Sequence, residues 1–266
     1  MYQVEDFKSV HVEQVLVRNT PVYLTGDLHT NYKAFKNNLE EMDLRDCIII
    51  FVGDMDFKDS ISAFNQFKKL DKELHDRNIT SFVIRGNHDN PVLWDKNSQD
   101  YIELWREFKS FTPIGPHTEL NINGNIGAVV SGAVSLNRSL LEEGKNYWKE
   151  GDFPEAPYDM ENFGENRTHV DFIIGHSGPI YDTFLKEAGG EYEKYSHFFE
   201  EDKELQDDLK REQDYFKQIL RRFRPRRWYC GHYHVSKSVK YVWDNWTDDG
   251  VINLRTVGKQ EIIRIA

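Results

Sequence analysis

At 266 residues the chain is long enough to bury a sizeable core, and 39% hydrophobic with 14% aromatic content excludes a disordered protein. Its 34 basic and 45 acidic residues leave a net charge of −11, which argues against non-specific binding to duplex DNA or anionic lipid. Alternating Val10, Val12, Val15 and Val17 predict an edge strand, or the entry to one, over residues 10–19. A core strand over 21–25 ends at Gly26-Asp27-Leu28-His29, and Phe35, Leu39 and Met42 give Asn31 to Met42 the spacing of an amphipathic helix. A second core strand, Ile48 to Val52, ends at Gly53-Asp54. The next helix spans Ser60 to Leu74, with Ile61, Phe64, Phe67, Leu70 and Leu74 on one face. Strand three, Ser81 to Ile84, runs into Gly86-Asn87-His88-Asp89. This strand, glycine turn, helix rhythm predicts an α/β architecture.

Residues 90–118 read as a loop with a short helix, Tyr101 to Phe108. A strand over Ile126 to Val130 follows. From 131 to 168 the chain is polar and weakly periodic, which marks an irregular insertion facing substrate. A strand over 170–174 ends at Gly175-His176. A charged helix, Glu200 to Phe223, carries an apolar stripe from Leu205 to Phe223 and is stopped by Pro225. The basic run Arg221 to Arg227 at its end favours the helix macrodipole, with phosphate binding as the alternative. Trp228 to Cys230 lead into Gly231-His232-Tyr233-His234. Segments 238–242, 251–256 and 261–265 then read as a closing antiparallel meander, and no linker divides residues 1–266 into two domains. Cys47 and Cys230 lie in apolar runs and read as small buried side chains in a reducing compartment. Met1 to Ser9 lack the apolar stretch of a secretory signal, and Cys47 to Val52, the longest apolar run, is too short to span a bilayer. A cytoplasmic location with no membrane partner is expected.

Five apolar strands therefore end in glycine turns that present Asp27, His29, Asp54, Asn87, His176, His232 and His234. Carboxylates, an amide oxygen and imidazoles without thiolate suit manganese, iron, cobalt or zinc better than calcium. Residues two apart on an extended segment point the same way, so Asp27 with His29, and His232 with His234, can share a cavity. Seven donors are too many for one tetrahedral ion and suit two ions sharing a carboxylate. His11, His75, His117, His169 and His197 lack this setting and are expected to be surface or structural residues.

These five motifs, spread over residues 22–234, resemble those of the calcineurin-like metallophosphoesterases. Ser131 to Arg138, Gly144 and Tyr147-Trp148-Lys149-Glu150 are similar to bacterial and phage-encoded members. The resemblance implies two mixed β-sheets packed as a sandwich and flanked by helices, four layers in all, with metals at one edge. It implies that Asp27, His29 and His234 hold one metal, that Asn87, His176 and His232 hold the other, and that Asp54 bridges them. His88 would lie at the leaving oxygen without binding metal. The second motif departs from the family's protein phosphatases. It reads Gly53-Asp54-Met55-Asp56-Phe57-Lys58 in place of Gly-Asp-x-x-Asp-Arg-Gly, which leaves open what orients His88. Arg85 matches those enzymes but also fits a surface position on an alternating strand.

The expected activity is hydrolysis of a phosphate ester, mono or di, on a small or nucleotide substrate. A hydroxide bridging two transition-metal ions attacks, and His88 acts as general acid. Arg138 is a candidate phosphate clamp, since guanidinium matches phosphate bidentately. A protein serine/threonine phosphatase is the alternative, and a non-catalytic binding scaffold is a third reading from a different class.

Overall fold

The computed structural model describes residues 2–6, 13–116, 118–155, 169–179, 197–198, 200–242 and 251–266. Val10, Val12, His11, His117 and residues 156–168 of the insertion lie outside them. The smaller sheet contains β3 (Val22–Thr25), β4 (Ile48–Phe51), β5 (Thr80–Val83), β6 (Phe111–Pro113) and β13 (Ile262–Arg264), in the order β13-β3-β4-β5-β6. The larger comprises β1 (Tyr2–Asp6), β2 (Glu13–Val17), β7 (Thr118–Ile122), β8 (Asn125–Val130), β9 (Phe172–Gly175), β10 (Arg227–Cys230), β11 (Lys237–Val242) and β12 (Val251–Thr256). Its order is β1-β2-β7-β8-β9-β10-β12-β11. Both sheets are mixed.

Strand alternation divides the apolar side chains between two sides of each sheet. Ile48, Ile50, Phe82 and Ile84 of the smaller sheet meet Val129, Phe172 and Ile174 of the larger in one inter-sheet core. Ile49, Phe51 and Val83 face the other way, against helices α1 (Tyr32–Glu41), α2 (Ser60–Asp76) and α3 (Gln99–Glu107). Across the molecule, Ala128, Val130, Ile173 and Trp228 pack against Phe216, Ile219, Leu220 and Phe223 of α4 (Glu204–Phe223). Helices, sheet, sheet and helix form the four layers. No described helix is long and apolar enough to cross a membrane.

The parallel register sets where the turns emerge. Thr25, Phe51 and Val83 sit level across β3, β4 and β5, while Val130, Gly175 and Cys230 sit level across β8, β9 and β10. Loops leaving these strands therefore start at a common height.

Several expectations need correction. Strand β2 is no edge: it lies between β1 and β7, and β1 is outermost. Residues 90–118 hold an unforeseen strand, β6, and the start of another, β7; Pro113, which cannot donate to a ladder, ends the short edge strand β6. The last three strands make no meander, because β12 pairs in parallel with β10 and β13 crosses to β3. Ile61 is 73% exposed: six residues before Phe67, at roughly 100° per residue, it lies off the buried face of α2. Arg85 is buried, with Nη1 donating to the Gly151 carbonyl at 2.9 Å and Nη2 3.4 Å from Glu155.

Candidate metal centre

The turns after β3, β4, β5, β9 and β10 bring all seven sequence-predicted ligands together, at the carboxyl ends of strands where open α/β sheets place ligands. Ligand atoms of Asp27, His29, Asp54 and His234 lie within 4.8 Å of one another, and so do those of Asp54, His176 and His232. Asn87 joins the second group: its Oδ1 is 2.8 Å from His176 Nε2 and 3.1 Å from His232 Nδ1. Asp54 belongs to both groups.

Close approach of the turns explains their glycines. A Cβ on Gly231 would lie 2.2 Å from Asp27 Oδ1, and one on Gly53 (φ +110°) 2.2 Å from His176 Nδ1. His29, Asp54, His232 and His234 themselves adopt positive φ, between 42° and 64°. Such left-handed backbone costs a non-glycine residue about 1–2 kcal/mol and is retained where the surroundings demand it.

The first atoms outside the cup fix its donors. His176 Nδ1 donates to the Val52 carbonyl at 2.8 Å, so Nε2 is the nitrogen facing Asn87 Oδ1 and, at 3.3 Å, Asp54 Oδ1. A neutral imidazole then aims a lone pair at two oxygens, a conflict that only a proton or a cation resolves. His29 Nε2 and His234 Nε2 face each other at 2.8 Å, and His234 Nε2 is 3.1 Å from Asp27 Oδ2. Asp54 Oδ1 accepts from the His88 amide at 2.9 Å, whereas its buried Oδ2 accepts no hydrogen bond. An orphaned buried carboxylate oxygen and converging imidazole lone pairs fit a cation.

Protonation follows the same logic. Burial alone would raise Asp54, but the charges of His176, His88 and His29 hold it well below the usual carboxylate range. Burial also opposes the charge on His29 and His176, yet Asp56 and Asp54 beside the first, and Asp54 and Asp27 beside the second, bring both up to about 9. His232, buried next to His176, is pushed down to about 3. Cations bound in the cup would displace the protons on His29 and His176. Asp89 ties two turns together by accepting from the amides of Gly86 (2.9 Å) and Phe57 (3.0 Å); burial, with Asp54 nearby, raises it to about 6.

His88 belongs to neither ligand group. Its Nδ1 donates to the Asn146 carbonyl at 3.2 Å, so a backbone group orients it; Asp56 instead lies 3.4 Å from His29 Nδ1. With Asp54, Asn87, His232 and His234, His88 lines a cavity of about 310 Å³. Among the described residues Leu136, Asn137, His197 and Phe198 also line it; His197 is exposed, as expected of a surface residue, but its place at this cavity was not foreseen. Only its place in the fold, not a motif, reveals it.

Arg138 is not brought to the cup. Its guanidinium is paired with Asp152, Asp202 and Asp208, and it lines a cleft whose described residues include none of the candidate ligands. The basic run ending at Arg227 sits at the amino end of β10, opposite the turn bearing His232 and His234.

Sequence reasoning also passed over Glu212, the one acid among the buried residues of α4. It accepts from the Val134 amide at 2.9 Å, and burial pushes its carboxyl from an ordinary 4.5 up to about 8. The folded chain therefore holds a proton there that the unfolded chain has lost, so this group's contribution to stability falls as pH rises from 4.5 to about 8. In thermal melts of the metal-free protein, Glu212→Gln is expected to flatten that decline and raise the melting temperature near pH 8. Parallel wild-type and variant curves would refute the raised value.

A model of the family described as calcineurin-like phosphoesterase matches residues 20–236. No curated protein matches the chain.

Proposed function

We propose, for a chain that belongs to the calcineurin-like phosphoesterase family, that it hydrolyses phosphate esters with a pair of transition-metal ions held in the cup. The observation that carries this reading is Asp54, a single buried carboxylate shared by both groups of ligand atoms. Asp27, His29 and His234 would hold one ion, Asn87, His176 and His232 the other. Manganese, iron or zinc suit these donors. Bound there, the ions supply Lewis acidity, lowering the pKa of a water towards about 7 and offsetting phosphoryl charge. The reading takes residues 1–266 as one catalytic unit.

The protein's own groups orient the reaction. Because a carbonyl can only accept, His88 must carry its proton on Nδ1, towards Asn146; Nε2 is then the atom that exchanges a proton with the leaving oxygen. Leu136 and Phe198 give the leaving group an apolar wall. A cavity of about 310 Å³ suits a small ester or one arm of a nucleotide. The protein-phosphatase alternative is weakened by Arg85, which is occupied by Gly151 and Glu155 and is not among the cavity's lining residues.

Protein loaded with Mn²⁺ should contain two equivalents per chain and release nitrophenol from bis-nitrophenyl or mono-nitrophenyl phosphate, with activity lost on chelation and restored by metal. One equivalent would refute the paired site. Full loading with no turnover of these esters, nucleotides or phosphopeptides would favour the scaffold reading.

A further inference from the structure

Behind the ligands runs a line of hydrogen bonds that the chemistry above does not use. Asn87 Nδ2 donates to Ser135 Oγ at 2.9 Å, and the Ser135 amide donates to Asp152 Oδ1 at 2.7 Å. Asp152 Oδ2 accepts from the Tyr147 hydroxyl at 3.1 Å and from Arg138 Nη1 at 3.3 Å. Arg138 reaches on to Asp208 in the second turn of α4 and to Asp202, which precedes that helix and accepts from its Glu204 and Leu205 amides. Tyr147 directly follows Asn146, the residue whose carbonyl accepts from His88. Ser135 and Asp152 are both buried.

We propose that Asp152 is a positioning residue for both halves of the site: through Ser135 it aims the Asn87 amide oxygen at the second ligand group, and through Tyr147 it holds the carbonyl that sets the tautomer of His88. The catalytic part of this inference rests on the phosphoesterase reading.

The amide of Asn87 has an acceptor end and a donor end, and only the acceptor serves a cation. Ser135 Oγ takes the donor end, which leaves Oδ1 facing His176 and His232. Asp152 in turn fixes the Ser135 backbone. On the other arm, residues 142–147 form a tight turn, closed by Gly144 N to the Tyr147 carbonyl at 2.9 Å and by Asn146 Oδ1 accepting from the Glu142 amide at 2.7 Å. Glu142 to Lys145 are exposed, so these bonds shape the turn without locating it against the interior. The Tyr147 phenol on buried Asp152 supplies that tether. Arg138 completes the assembly by placing a positive charge against a carboxylate that would otherwise be buried without one.

Two single-atom deletions separate the arms. Ser135→Ala is expected to weaken Mn²⁺ binding at one of the two sites by about 10–100-fold in calorimetry, the usual effect of losing a group that orients a ligand. The rate ratio between nitrophenyl and alkyl esters should stay at the wild-type value. Tyr147→Phe should leave Mn²⁺ affinity unchanged, remove the Nδ1–H preference of His88 in ¹H–¹⁵N imidazole spectra, and lower kcat on alkyl esters about tenfold more than on nitrophenyl esters, with KM unaltered. Wild-type Mn²⁺ affinity in Ser135→Ala, or a wild-type tautomer in Tyr147→Phe, would overturn the proposal. So would both variants losing metal, turnover and melting temperature together, the sign of a merely structural role. Calorimetry and spectra read no turnover, so they decide the positioning claim even if the loaded wild type hydrolyses no ester and the phosphoesterase reading fails.

Discussion

His88→Ala is expected to lower turnover of an alkyl phosphate ester by about 10²–10⁴-fold, the range for loss of a positioned general acid. The metal content should not change, because His88 is in neither ligand group: the substitution keeps the backbone amide that bonds Asp54, and the ring it removes meets only the edge of the His29 ring, centroids 5.4 Å apart. An alkoxide needs a proton as it departs, whereas a nitrophenolate largely does not, so the deficit should shrink several-fold on nitrophenyl esters. Steady-state kinetics over a series of leaving groups, with metal measured in the same samples, tests this. Equal loss on every ester would assign His88 to binding or to structure.

Asp54→Asn should have the larger effect on the metals. Asn keeps the shape of Asp and an oxygen that can accept from the His88 amide, so the turn can persist. What goes is the negative charge and the second carboxylate oxygen, Oδ2, which makes no hydrogen bond within the protein. If that carboxylate is shared, both ions lose affinity, each by more than the roughly 10–100-fold typical of losing an outer-shell partner. Elemental analysis after dialysis should then show both equivalents depleted, and added Mn²⁺ should raise the melting temperature of the wild type but not of the variant. Selective loss of one ion would remove Asp54 from the bridging position.

The cup was legible in the sequence because each piece of it is local. Ile48 to Val52 read as a strand from five apolar residues, and Gly53-Asp54 reads as a turn with a donor. Repetition at Asp27, Asn87, His176 and His232 carried the rest. Pairing between distant strands was not legible: nothing in Ile262 to Arg264 states that it will bond to Val22–Thr25 and not to Val251–Thr256, since either register hides similar side chains. Arg138 shows the same limit for charge. As a loop arginine near apparent metal ligands it suggested a phosphate clamp, but Asp202 and Asp208, more than sixty residues away, fold onto it. Isolated residues such as Ser135, Asn146 and Asp152 carry no motif, because a serine hydroxyl or a main-chain carbonyl acquires its role from what lies opposite.

Asp27 Oδ1 accepts from the amide of His232, a residue 205 positions further along the chain. Structures closed by such remote partners form late, since the connecting loop must lose its freedom before any contact repays it. The bond between Asp27 and His232 therefore waits until nearly the whole chain has been made, while Asp27, His29 and Asp54 come together from neighbouring strands. Cations bound once the last turn has docked would act as a brake on opening and leave the rate of assembly almost untouched.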